Sequence, residues 1–245
     1  MIRFEEADDP RRRILIQALA GGLLSGTGAM AQAQGLGIFG SKPAKLPPGQ
    51  SIYGLSGQVA VNDIAATLAT QIRPGDNLQT GKNSEVIFVV GTHSMILRGE
   101  SRLLVQPPEN STTALVMAGL RLLAGKLLSV SRNTSMQLTT ATATIGIRGT
   151  GFYVEADPEQ TYFCTCYGLT EIAASADPES RETVAASRHD RPLYIVADGA
   201  RGKNIRNAPF INHTDQELAL IETLVGRKTP FVFSKDAYTA PRRTY

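Results

Sequence analysis

Met136–Ile172, "MQLTTATATIGIRGTGFYVEADPEQTYFCTCYGLTEI", decides the fold of this 245-residue chain. Its β-branched and aromatic residues come in short runs, Met136–Ile145, Gly151–Glu155 and Thr161–Ile172, separated by turn signals, which is the texture of strands. Gly149 falls between two of these runs, where a reversal needs a backbone that glycine adopts without steric cost. The third run holds both cysteines of the chain, Cys164 and Cys166.

The same texture extends toward the N-terminus. Val86–Val90, Ser94–Leu97, Leu103–Gln106 and Lys126–Ser131 read as strands between the turn signals Gly75-Asp76, Gly81-Lys82-Asn83, Gly91-Thr92 and Gly99-Glu100. Ala114–Ala124 is apolar almost throughout, so periodicity does not separate a strand from a short helix there. Toward the C-terminus, Ala173–Arg191 reads as an irregular polar connection and Pro192–Ala197 as one more strand. "NHTDQELALIETLVGRKTPF" then changes period: Thr214 with Glu217 makes a capping box, and Leu218, Leu220, Ile221 and Leu224 give an apolar stripe that Gly226 ends. The expected architecture is mainly β, a compact antiparallel-rich sandwich or short β-solenoid-like domain over residues 51–173. A C-terminal extension, 174–245, carries one helix at about 215–225.

Composition narrows the function classes. The net charge is +3 and the basic residues are scattered, so no stripe suits a nucleic-acid backbone. Residues 1–33 carry Arg11-Arg12-Arg13, an Ala/Gly/Leu stretch and small-residue cleavage motifs around Ala29–Ala33, which is the pattern of a Tat-like export signal. Left uncleaved, that stretch is the one expected membrane contact. Residues 34–50, rich in Gly, Pro and Lys, read as a linker. The expected location is periplasmic or secreted.

"LSGQVAV", "IRPGDNLQTGKNSEVIFVVGTHSMILRGESRLLV", "LLAGKLLSV" and "TTATATIGIRGTGFYVE" followed by "TYFCTCYGLTEI" occur in order over residues 51–173. Together they resemble the periplasmic domain of the FecR family, the iron-dicitrate regulator type. The resemblance implies a non-enzymatic binding or signalling module with a protein partner in the periplasm or envelope. Members of that family also carry a cytosolic segment that holds a sigma factor. Ten residues precede Arg11, so that segment is expected to be lacking here. The alternative is a structural envelope protein without a cofactor. Within the resembling blocks, His93 reads as an exposed turn residue, and Arg148 as a structural side chain satisfying buried carbonyls or an acid.

Laid on the family's strand, Phe163 and Thr165 take the core-facing slots, so Cys164 and Cys166 share the opposite face, which the extension must cover. Three fates fit two such thiols. A disulfide is one, either strained within the strand, since residues two apart lie about 6.6 Å apart at Cα, or intermolecular. Both can be small buried hydrophobes. Or they can join His189 and His213, the two histidines of the extension, in a set of two cysteines and two histidines that accepts zinc, copper or an iron–sulfur cluster. A nucleophilic pairing of Cys166 with His189 or His213, oriented by Asp190, has no accompanying catalytic motif in the sequence.

Overall fold

The computed structural model describes residues 43–108 and 117–231. The segment read as a Tat-like signal, most of the segment read as a linker and part of Ala114–Ala124 lie outside the described residues. The chain divides into two units, Met1–Ala44 and Lys45–Tyr245, and every element named below belongs to the second.

The fold is mainly β, as expected, with a single helix among the described residues. The strands are β1 (Ile52–Ser56), β2 (Val59–Val61), β3 (Ile64–Ala65), β4 (Asn77–Thr80), β5 (Glu85–Val90), β6 (His93–Leu97), β7 (Arg102–Gln106), β8 (Gly119–Thr139), β9 (Ala143–Ala156), β10 (Gln160–Ala174), β11 (Arg181–Ala186), β12 (Leu193–Val196) and β13 (Ile205–Asn207). Asp215–Leu224 forms α1. All described pairings are antiparallel.

Three long strands carry the rest. β8 pairs with β9 along its length, while its other edge is shared by β7 and then β6. β10 lies on the far side of β9, and its free edge is likewise shared: Gln160–Phe163 pairs with β12, and Gly168–Ala173 with β11. Residues 164–167 therefore sit in a gap between the two partner strands. One face of the sheet buries the core, with Phe88, Leu97, Leu127, Phe152, Phe163, Ile172 and Ile195 among its members. The alternate residues Ile96, Leu128, Tyr153, Tyr162, Cys164 and Cys166 are also buried but belong to the opposite side. There α1 packs on β6 and β8 with Leu218, Ile221 and Leu224 buried.

Several local expectations are corrected. Gly149 makes no reversal: it lies within β9 at φ 57°, so the glycine serves a local irregularity in a continuous strand. The reversal falls instead at Thr140–Thr142, inside the run read as Met136–Ile145, where Thr140 Oγ1 accepts from Ala143 N at 3.1 Å. From Gly119 onward the ambiguous Ala114–Ala124 run is strand and joins Lys126–Ser131 in β8. The connection 173–191 contains β11, whose alternation is masked because only Val184 is buried in it. His93 is buried, 4% exposed, at the start of β6. Arg148 is exposed, since its side chain leaves the sheet on the solvent side. The helix begins as read, with Thr214 and Glu217 making the reciprocal capping box, and Gly226 follows its end at φ 73°.

Candidate metal centre

The site is built on a defect in β10. Thr165 pairs with Phe152 and Tyr167 with Gly151, so Cys166 is an extra residue with no partner across the ladder. Such a bulge bends the strand and re-aims its side chains. A second irregularity follows at Gly168, whose φ of 93° no other residue type reaches cheaply. Between the two, Tyr167 lays its ring over Gly151, where a Cβ would stand 2.5 Å from the ring. The unpaired Cys166 carbonyl accepts the backbone N–H of His189 at 2.9 Å, which fills the gap left between β11 and β12.

His189 is held in a tight loop at φ 50°. Asp190 shapes that loop, accepting from Ser187 N at 2.5 Å, Ser187 Oγ at 2.9 Å and Arg188 N at 3.2 Å. Asn212, at φ 59°, turns the chain into His213 immediately before the cap of α1. Left-handed conformations at non-glycine residues cost on the order of 1–3 kcal/mol each and concentrate where a side chain must be aimed.

These devices bring all four sequence-derived candidates together. The ligand atoms of Cys164, Cys166, His189 and His213 lie within 4.8 Å of one another, so the cluster could hold a metal. Cys164 Sγ is 3.5 Å from His189 Nδ1, which is 3.1 Å from His213 Nε2. Both thiols are free and fully buried.

The outer nitrogens of both imidazoles are taken. His189 Nε2 donates to Asp215 Oδ1 at 2.9 Å, and His213 Nδ1 donates to Ile211 O at 2.6 Å. A carboxylate and a carbonyl only accept, so in the neutral rings these partners put the protons outside and leave His189 Nδ1 and His213 Nε2 as inward lone pairs. Two lone pairs at 3.1 Å repel unless a proton or a cation lies between them. For a tetrahedral zinc ion, bond lengths of about 2.0–2.1 Å to nitrogen and 2.3 Å to sulfur place two nitrogens about 3.3 Å apart and a nitrogen and a sulfur about 3.5 Å apart. The His189–His213 and Cys164–His189 spacings lie close to these values, while the set as a whole is contained within 4.8 Å.

Charge within the cluster is polarised. The Cys164 thiol is lowered to about 4, chiefly by the hydrogen bond from Cys166 and then by His189 and His213, against the opposing effect of burial. Burial pushes Cys166 well up, and the neighbouring Cys164 adds to it. Burial opposes protonation of His189, but Asp215 and Cys164 outweigh it and the imidazole is raised. Asp215 is lowered: burial disfavours its charge, and His189 and Arg188 overcome that.

Aromatic and ionic groups close the surroundings. Tyr153 stacks on His213 with centroids 4.5 Å apart, and Phe210 lies 4.4 Å from His189 and 4.6 Å from His213. The half-buried Arg98 donates to Tyr153 Oη at 3.1 Å, to Glu217 Oε1 at 2.8 Å and to the Asn212 carbonyl. Asp215, Arg98, Tyr153 and Glu217 were not singled out as site residues by sequence reasoning. An acidic first turn directly after His213 was the available signal for Asp215, but acids there are ordinary dipole partners. It is Cys164, not Cys166, whose sulfur lies 3.5 Å from a histidine nitrogen, and Asp190 orients the loop while Asp215 orients the ring.

No protein-family model and no curated protein matches the chain. Two crystal structures of a Parabacteroides distasonis protein, provisionally described as an anti-sigma factor, are similar in fold to part of it, each at 14% identity over 54% of this chain, with TM-scores of 0.42 and 0.41. The chain spans 58% of the length of that protein.

Proposed function

We propose that this protein is an exported, non-enzymatic binding or signalling module of the cell envelope that holds one tetrahedral metal ion of the zinc type on Cys164, Cys166, His189 and His213. The observation that carries the metal is the convergence of four ligand atoms within 4.8 Å, with both outer imidazole nitrogens already bonded. Second-sphere partners of this kind orient ligands and raise their basicity.

A single ion fits better than a binuclear iron–sulfur cluster. Such a cluster with mixed ligation holds its cysteines on one iron and its histidines on the other, apart from each other. Here a sulfur and an imidazole nitrogen are 3.5 Å apart. All four positions of a tetrahedron are taken by protein, which is the closed arrangement of a structural site rather than the open one of a catalytic site. The thiolate of Cys164 faces imidazoles in a buried cluster, not a cleft that admits a substrate, which supports the non-enzymatic reading. The envelope and its protein partner rest on the signal-like residues 1–33 and the FecR-like blocks of the sequence.

Elemental analysis of protein purified with its thiols reduced tests the metal. We expect close to one equivalent of zinc per chain, lost when Cys164→Ser and Cys166→Ser are combined. Metal-free protein that takes up no zinc on titration means the four side chains are merely a buried hydrogen-bonded cluster, as in the structural envelope protein without a cofactor.

A further inference from the structure

We infer that the metal centre is the clasp of α1: ion binding and docking of the helix onto the sheet form one linked equilibrium, and Asp215 is the positioning residue that joins them. This rests on the reading that the cluster holds a metal. The joint is visible in the residue order. His213, a ligand, precedes the N-cap Thr214, and Asp215 is the first residue of α1. The Asp215 carboxylate accepts from His189, the ligand contributed by the other loop, and from Arg188 beside it. A helix that leaves the sheet therefore removes one ligand and the orienting partner of a second. Conversely, an ion drawing His189 and His213 together fixes both ends of the hydrogen-bonded bridge that starts the helix.

The helix needs such a clasp. It has ten residues, and isolated helices of that length are marginal in water, so its order depends on docking. Its apolar contacts are accompanied by buried charges: Glu217 pairs with Arg98, and the fully buried Glu222 pairs with Arg227 at 2.6 Å and accepts from Tyr167. Desolvating ion pairs offsets much of their attraction, and Arg98 Nε and Arg227 Nη2 are buried with no hydrogen-bond partner among the described residues. Docking is thus weaker than ten residues on an apolar sheet face would otherwise be. Linkage requires that whatever the ion adds to docking, docking adds to ion affinity.

Amide hydrogen exchange on the full chain, with thiols reduced, reads the coupling directly. Removing zinc with a strong chelator should speed exchange in peptides covering 215–225 by about tenfold or more, while peptides from β8 and β9 remain slow. Asp215→Ala should weaken zinc binding by about 10–100-fold, the usual effect of losing an outer-sphere carboxylate, and saturating zinc should restore slow exchange in α1. Asp215→Asn, which still accepts from His189, should fall between. A merely structural role for Asp215 would leave zinc affinity unchanged and would not be rescued by the ion. If the chain binds zinc but α1 exchanges equally fast with and without it, the coupling is wrong and the metal site stands. If reduced wild-type chain binds no zinc, both are wrong.

Discussion

His93 opens β6 with its ring buried and its Nδ1 without a hydrogen-bond partner among the described residues. Burial, with a further push from Arg227, lowers it from 6.5 to about 4. Arg227 is itself tied to Glu222 and donates to the Thr92 carbonyl at 3.0 Å, so its charge is fixed beside the imidazole. A histidine lowered in the folded state is neutral in both states above its unfolded value, and nothing is lost there. As pH falls below about 6.5 the unfolded chain takes up the proton first, and stability declines until the folded value near 4 is reached. From pH 7.5 to pH 5 this amounts to about 2 kcal/mol. Urea unfolding of wild type and His93→Asn should show that the gap in stability between them shifts by about this amount across that range in favour of the variant. A gap independent of pH would assign the acid sensitivity elsewhere. Sequence reading misplaced His93 because its neighbours, Gly91 and Thr92, signal a turn, and a turn's flanking residue is exposed or buried according to what packs over it. Here the chain just beyond α1 does so, more than a hundred residues away.

At the scale of elements, β10 shows how departure from regular strand geometry assembles the candidate site. A regular strand would direct Cys164 and Cys166 to one face, as alternation implies, but would pair Cys166 across the ladder. The bulge leaves its carbonyl to anchor the His189 loop. Gly168 allows the return to register, and a Cβ added there would stand 2.8 Å from the Gly149 carbonyl oxygen and 3.0 Å from Thr150 Cα. Both obstacles are backbone, so the clash cannot be relieved by a rotamer change. Gly168→Ala should therefore destabilise the fold by about 1–3 kcal/mol and lower zinc affinity as well, since the bulge sets the positions of both thiols. Thermal unfolding and a zinc titration check this together; unchanged affinity in a destabilised variant would separate the bulge from the site. The strands and the capped helix were legible because they rest on local signals: β-branched runs, a capping box, a terminal glycine. The bulge, β11 and β13 were not, because each is defined by pairing with a distant strand.

For the whole molecule, the candidate site was legible in its membership and not in its mechanism of assembly. Two cysteines at alternate positions and two histidines in the segment beyond them are a countable set, and alternation in β10 gave their shared face. What holds them, namely the Asp215 bond, the Arg98–Tyr153–Glu217 network and the left-handed loops at His189 and Asn212, depends on long-range contacts that no window of sequence contains. That assembly has a consequence for global stability. The four candidate side chains come from the long strand β10 and from the two loops that flank β12 and β13, so an ion bound there would oppose unfolding of the sheet and of its cover at once. Any ligand that binds only the folded state stabilises it by RT ln(1 + [L]/Kd), about 4 kcal/mol at a thousandfold excess over Kd. For a chain of this size, 1 kcal/mol moves the midpoint by about 2–4 °C. Zinc at that excess should thus raise the thermal midpoint of the reduced protein by on the order of 10 °C. The combined Cys164→Ser and Cys166→Ser variant, which keeps side-chain volume nearly constant, should unfold at the same temperature with or without zinc. Scanning calorimetry at several zinc concentrations gives the slope as well as the shift. A midpoint that rises with zinc equally in wild type and variant would place the stabilising ion somewhere other than these four side chains.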